Sequence, residues 1–270
     1  MRERKTPLTV TLITLNEERN ITRALASIRG WADDIVVIDS GSTDATCTIA
    51  ESFGARVIHH PWPGFGAQKN FAQDQARQPW ILNLDADEEL TDELRQEIDQ
   101  FLAHVEDGSE NAKLVRIPRK TRYMGRWILH GGWYPNHLVR LAHREFARWS
   151  EPALHEAWIP RPGTAPATAT LRNPLLHHTF ADIEDQVRTN LVYSRRGYED
   201  LKTRGTSSSI LRLIFKPIGK FLETYIFKLG ILDGIPGFVI SINAAHSMFL
   251  RYAYFYDAGE SIPPRQEKKS

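Results

Sequence analysis

At 270 residues with a formal net charge of +1, from 34 Lys and Arg against 33 Asp and Glu, the chain lacks the basic excess with which a general nucleic-acid binder neutralises phosphates. A hydrophobic content of 41% with 10% aromatics allows a sizeable core, in one large domain or in one domain with an appendage. The single cysteine, Cys47, excludes a disulfide framework and a cysteine-based zinc site, and fits a reducing compartment.

The first residues lead into a strand-like run without the apolar region of a signal peptide, so the first domain is expected in the cytosol. That run, "LTVTLITL" (8–15), precedes a helix with Ile21, Ala24, Leu25 and Ile28 at helical spacing. "DIVVIDS" (34–40) predicts a second strand, Ala45 to Phe53 a helix and "ARVIHH" (55–60) a third strand. The loop "PWPGFG" then introduces a helix around Lys69 to Ala76 and the strand "WILNL". Strand and helix alternating with short connections predict a parallel sheet covered on both faces, with ligands at the carboxyl ends of the strands. The polar clusters Asn16-Glu17-Glu18, Asp39 to Asp44 and Asp85-Ala86-Asp87 all fall at that edge.

"NLDADEEL" (83–90) places four carboxylates directly behind an apolar strand. Acidic residues favour the first turn of a helix, and Leu94, Ile98, Phe101 and Leu102 predict one starting near Thr91, which accounts for Glu88, Glu89, Asp92 and Glu93. Asp85 and Asp87 come earlier and, on an extended chain, point to one side. Two carboxylates at one spot raise each other's pKa unless a cation lies between them, and a hard divalent ion arriving with substrate phosphates is the usual cation. By itself an Asp-x-Asp pair is a weak signal.

Residues 111–180 are less regular, with strand candidates "AKLVRIP" and "HLVRLA", the aromatic stretch "YMGRWILHGGWYP" and the segment "PALHEAWIP". From residue 181 the pattern is helical. Charges at Lys216, Lys220, Glu223, Lys228, Asp233 and Arg251 interrupt the apolar tail, and Pro217, Pro236 and Gly237 are expected to break helices, so no spanning helix is predicted. Leu211, Leu213, Ile214, Phe215, Ile218, Phe221 and Leu222, beside Arg212, Lys216 and Lys220, instead suit an amphipathic surface that lies on an anionic membrane or packs in a homodimer.

In this order, "LITLNEERNI", "VVIDSGSTDAT", "GFGAQKNFA", "WILNLDADEEL" and "ALHEAW" resemble the family 2 glycosyltransferases of GT-A fold, above all the bacterial lipopolysaccharide core β-glucosyltransferases. The resemblance implies an α/β catalytic domain over residues 1–180, with a Rossmann-like, mostly parallel sheet and helices on both faces, and a C-terminal amphipathic helical region over 181–270. It implies inverting transfer of a sugar, with glucose the first guess, from a UDP-sugar to a lipopolysaccharide-core or related lipid-linked acceptor. Such an enzyme would be peripheral on the cytoplasmic face of the inner membrane and would bind no nucleic acid.

By the same resemblance, Asp85 and Asp87 would hold Mg²⁺ or Mn²⁺ on the donor diphosphate, with Asp87 the direct ligand and Asp85 facing the ribose or the metal's water shell. His178, or its neighbour His177, would add a third ligand. Asp39 would accept a hydrogen bond from the uracil N3–H, Glu17 with the backbone of Thr14 and Leu15 would wall the base pocket, and Lys69 would reach the nucleotide. Glu156 would take the acceptor proton, oriented by His155.

Plainer roles compete for the same residues: a turn-starting Asp39, an N-capping Asp44, a solvated Lys69, and a Glu156 paired with Arg140 or Arg148. "GRWILHGGWYPN" suits a sugar acceptor, with Arg126 and Arg140 for its phosphates, or fills a hairpin core. A sugar nucleotidyltransferase would normally carry a Gly-rich first loop, and "TLNEERN" has no glycine. A non-catalytic nucleotide-sugar-binding scaffold would have no need of Asp85, Asp87 and Glu156 together.

Overall fold

The computed structural model describes residues 5–151, 156–180 and 182–259. Two compact units result, one built on the chain up to Lys120 and on Asn136–His178, the other on Thr121–Pro135 and the chain from Thr179 onward.

The first unit begins with β1 (Thr6–Thr14), α1 (Ile21–Ile28), β2 (Ala32–Asp39), α2 (Thr46–Ser52), β3 (Arg56–His59), α3 (Phe65–Asp74) and β4 (Trp80–Asn83). The four strands are parallel in the order β3-β2-β1-β4. β1, β2 and β4 are buried on both faces for most of their length, while β3 at the edge is half-exposed. α1 buries Ile21, Ala24, Leu25 and Ile28, the stripe that its periodicity predicts. Registers pairing Thr14 with Asp39 and Thr11 with Asn83 bring the carboxyl ends of β1, β2 and β4 to one edge. Leu8, Leu12, Leu82, Leu94 and Ile98 belong to the main core, all fully buried.

The sheet continues through β5 (Glu88–Leu90), α4 (Asp92–Glu106), β6 (Leu114–Tyr123), β7 (Arg126–Trp127), β8 (Asn136–His143), β9 (Ala147–Trp149), β10 (Trp158–Pro160), β11 (Thr168–Thr170) and β12 (Leu175–His177). β8 is antiparallel to both β4 and β6, and β12 to β5, giving the order β3-β2-β1-β4-β8-β6-β12-β5. β9 and β10 form a separate antiparallel ribbon.

Glu88 and Glu89 do not open a helix, contrary to the sequence reading. They lie on β5, and α4 starts after Thr91, whose Oγ1 accepts from the Leu94 amide at 3.1 Å. A turn at Ala86–Asp87 separates β4 from β5, closed by the Glu88 amide donating to the Asp85 carbonyl at 3.0 Å. Asp85 and Asp87 therefore do not share one extended strand.

In the second unit, α7 (Gly234–Asp257) packs against α5 (Ile183–Thr203) and α6 (Ile210–Leu222). α6 runs through Pro217, and Pro236 lies in the first turn of α7, where its missing N–H is no loss. Neither breaks its helix as expected. The aromatic stretch joins this unit: Tyr123 and Ile128 are buried with Ile240 against Trp133 and Phe180, so much of it fills a core instead of lining a sugar groove.

Candidate active site

At the carboxyl edge of β1 and β2, two loops are laced together by short polar side chains. The Asn16 amide donates to Ser42 Oγ at 2.8 Å, Asn16 Oδ1 accepts from the Thr43 amide at 2.9 Å, and the Glu17 amide donates to Thr46 Oγ1 at 2.7 Å. Asn16 has φ +56°, a left-handed conformation that Asn tolerates. Asp44 accepts from the Thr46 amide at 3.0 Å and from the Glu18 amide at 3.2 Å, fastening the start of α2.

Asp39 is buried and accepts from the Gly41 and Ser42 amides, each at 2.9 Å, from Ser42 Oγ at 2.5 Å and from Thr14 Oγ1 at 3.1 Å. Four donors fill the acceptor capacity of a carboxylate. Burial works against its charge, but the Ser42, Gly41 and Thr14 hydrogen bonds outweigh it and hold the Asp39 carboxyl below its ordinary value.

Behind β4 lies a chain of alternating charge. Glu88, fully buried, faces Arg140 at 2.6 Å and Arg119 at 3.5 Å. Arg140 reaches Asp85 at 2.5 Å and donates to Asn83 Oδ1 at 2.9 Å. The other Asp85 oxygen lies 3.8 Å from Lys69 Nζ, which in turn lies 2.8 Å from Glu156 Oε1. Burial opposes the Asp85 charge, yet Arg140 and then Lys69 hold its carboxyl well below the usual carboxylate range. Burial pushes the Glu88 carboxyl up against the pull of Arg140, with the Asp85 charge adding to the rise. Each charge thus has an opposite neighbour, which is the condition for keeping it out of water.

Glu156 is held in place by α3. Gly66 lies so close to the ribbon that a Cβ there would stand 2.0 Å from the Ser150 carbonyl oxygen. Asn70 donates to the Trp149 carbonyl at 3.0 Å and accepts from the Trp149 amide at 2.9 Å, and Gln73 donates to the Ala147 carbonyl at 3.0 Å. The Lys69 ammonium sits 4.5 Å from the centre of the Trp149 ring, a cation–π contact. One face of α3, read as Gly66, Lys69, Asn70 and Gln73 at helical spacing, therefore orients the segment that carries Glu156.

On the far side of the turn, Asp87 Oδ2 lies 3.1 Å from His177 Nε2, while His178 Nε2 lies 3.1 Å from Glu89 Oε2. Glu17 faces this group. Burial raises its carboxyl most; Asn20 lowers it through a hydrogen bond, and the charges of Asp87, Asp44 and Asp85 raise it further.

Residues 9–155 match the family model for glycosyl transferase family 2, more than half of the chain. The chain belongs to this family. It is 33% identical over 247 residues to an uncharacterized glycosyltransferase of Rickettsia bellii, covering 90% of this chain and 83% of that protein. It is also 30% identical over 259 residues to the lipopolysaccharide core biosynthesis glycosyltransferase LpsC of Rhizobium meliloti, covering 93% of each. Among solved structures, it resembles glucosyl-3-phosphoglycerate synthase from Mycobacterium tuberculosis in complex with Mn²⁺, UDP-glucose and glycerol 3-phosphate, with 26% identity over 52% of this chain and 57% of that one and a TM-score of 0.37.

In this glycosyltransferase, several sequence expectations need correction. Lys69 is buried, not solvated, and it is the partner of Glu156 in place of Arg140 or Arg148. Arg140 is enclosed by Asp85, Glu88 and Asn83, so it does not face an acceptor phosphate. The histidine beside Asp87 is His177: β12 pairs antiparallel with β5, and successive side chains diverge, sending His178 to Glu89. Asp85 is committed to Arg140 and Lys69, which separates it from Asp87. Leu15 is exposed at the end of β1, and Thr14 ties its hydroxyl to Asp39. His155 lies outside the described residues. Glu88, read in the sequence as a helix-starting acid, is instead the buried partner of Arg140, and Asn70, which the sequence did not single out, holds both backbone groups of Trp149.

Proposed function

We propose that this glycosyltransferase moves a sugar, with glucose the first candidate, from a UDP-sugar to a hydroxyl of a lipopolysaccharide-core acceptor, inverting the anomeric carbon. The observation that carries the reading is the Asp85–Lys69–Glu156 chain, in which one ammonium contacts both an acid of the Asp-x-Asp turn and a second carboxylate. Glu156 takes the proton of the acceptor hydroxyl as that oxygen bonds to the anomeric carbon. The bond from that carbon to the diphosphate oxygen breaks, and UDP leaves with the electron pair. Lys69 orients Glu156 and offers positive charge to the departing diphosphate. Asp39, Glu17 and the backbone of Thr14 and Leu15 wall the base pocket, with Asp39 exchanging the Ser42 hydroxyl for the base N3–H.

Among the described residues, no three His, Cys, Asp or Glu side chains form a ready metal cage. Mg²⁺ and Mn²⁺ need only one or two protein ligands when phosphates complete the shell, and Asp87 with His177 fits that requirement better than Asp85 or His178. When bound, such an ion neutralises the leaving diphosphate. The similarity to LpsC supports the acceptor class; transfer at a membrane surface is part of the same proposal, since an acceptor of that class would carry lipid.

Incubation with radiolabelled UDP-, GDP- and ADP-sugars and truncated lipopolysaccharide, with Mn²⁺ or EDTA, tests the proposal. Transfer from a UDP-sugar, lost in EDTA and in Asp87→Asn, is the expected result. Undiminished transfer in excess EDTA overturns the metal assignment, and transfer only from another nucleotide overturns the donor assignment. Formation of a nucleotide sugar with release of pyrophosphate overturns the reaction class.

A further inference from the structure

α6 exposes Ile210, Leu211, Ile214, Phe215, Ile218 and Leu222 along one face, at the i, i+3, i+4 spacing of a helix whose apolar side is meant for contact. Arg212, Lys216 and Lys220 follow one another every fourth residue on the opposite flank, and α6 contains no acidic residue. No single described helix is long and apolar enough to cross a membrane, but the stretches Ile210–Phe227 and Gly230–Asp257 pass that test together and meet at a bend of 69°. At the bend the exposure of hydrocarbon is greatest, with Phe227 79% and Ile235 73% exposed.

The charges carried by the apex segment itself, Glu223, Lys228 and Asp233, are answered within the unit. Lys228 pairs with Glu223 at 2.5 Å, and Asp233, 2% exposed, accepts from the His130 amide at 2.8 Å. The irregular backbone is answered as well: the amides of Lys228, Leu229 and Leu232 donate to the carbonyls of Glu223, Ile226 and Leu229, and the Lys228 carbonyl accepts from the Gly131 amide at 2.8 Å. Gly237 permits this closure, since a Cβ there would stand 1.9 Å from the Gly230 carbonyl oxygen. A non-helical segment at hydrocarbon depth needs such internal bonds, which a loop in water can leave to solvent.

We propose that the α6–α7 bend enters one leaflet of an anionic lipid bilayer and returns on the same side, with Phe227 and Ile235 leading and the basic flank of α6 against the headgroups. A two-fold contact between copies is the weaker occupant, because it would bury the apolar face alone, whereas an anionic lipid surface also answers Arg212 and Lys216, the basic residues of α6 that no described acid of the unit pairs; Lys220 is already paired with Glu223 at 3.0 Å. The inference does not depend on the sugar or the acceptor.

Full-length protein is floated with vesicles of phosphatidylcholine alone or with about one-third phosphatidylglycerol. An environment-sensitive fluorophore at Phe227→Cys, in a Cys47→Ser background, reports depth through quenching by spin-labelled acyl chains. Wild type is expected to float with the anionic vesicles and the fluorophore to be quenched from within the acyl region. Phe227→Glu with Ile235→Glu should abolish flotation while thermal unfolding and UDP binding stay unchanged. Arg212→Glu with Lys216→Glu should cut anionic binding roughly tenfold or more. Flotation that survives the apex substitutions, with the fluorophore still in water, overturns insertion. Failure to float at any composition overturns lipid as the occupant, and a dimer that dissociates on Phe227→Glu then assigns the face to a second copy.

Discussion

In the first unit charge lies inside: Glu88 is fully buried, and Arg140, Asp85, Lys69 and Glu156 continue from it as alternating neighbours. In the second unit hydrocarbon lies outside: α6 has no buried residue, and Phe227 and Ile235 stand free of their own chain. Both arrangements oppose the usual partition of side chains. The buried charges are compensated by partners within the fold, while the exposed hydrocarbon has none there. The first arrangement is therefore a source of structure and orientation, and the second a surface awaiting contact.

The comparison sharpens most at Glu156. Glu156→Gln keeps the shape of the side chain but removes the proposed proton acceptor, so turnover should fall roughly 10²–10⁴-fold with UDP affinity nearly unchanged. Steady-state kinetics beside calorimetric titration with UDP measure the split, and near-normal turnover would leave Glu156 a structural partner of Lys69.

Arg140→Met tests whether the buried charges depend on one another. It leaves Asp85 and Glu88 facing each other without their shared cation, and a loss of about 3–5 kcal/mol in urea unfolding is expected. A small effect would mean that Arg119 and Lys69 suffice.

A second buried ion pair gives the pH dependence. Asp34 is bound by Arg56 at 3.0 and 2.9 Å, by Thr9 Oγ1 at 3.0 Å and by the Arg77 amide at 3.1 Å. Burial opposes its charge, but these bonds hold the Asp34 carboxyl below its ordinary value of 3.8. Because the folded value is the lower one, the stabilisation is fully present above about pH 4 and is lost as pH falls through the folded value. Asp34→Asn should cost about 1.5–3 kcal/mol near neutral pH, and its deficit against wild type should shrink in urea titrations at acid pH. A deficit that persists unchanged would assign the cost to geometry instead of charge.

The smallest effect belongs to the second unit. Phe227→Glu in lipid-free buffer should change stability by no more than about 0.5 kcal/mol by thermal unfolding, because the side chain packs against little of its own protein. A loss of several kcal/mol would make Phe227 part of the core and remove the contrast between the units.

Sequence periodicity by itself determined the parallel half of the first unit. The α1 stripe of Ile21, Ala24, Leu25 and Ile28 and the Thr91 cap of α4 follow from local rules that act over one or two turns, and both are present. The three polar clusters fall at the carboxyl edge because β1, β2 and β4 run parallel in register. Only tertiary structure decided which charges meet. Lys69 finds Glu156 87 positions away, Arg140 finds Glu88 52 positions away, and His177 rather than His178 meets Asp87 because an antiparallel register chooses between adjacent side chains. Glu88 and Glu89 looked like helix-starting acids, since local preference could not register that β12 would pair with them as a strand. Segment identity is set by short-range sterics and hydrophobic period, whereas partner choice is set by strand register and long-range packing, which leave no periodic trace in the chain.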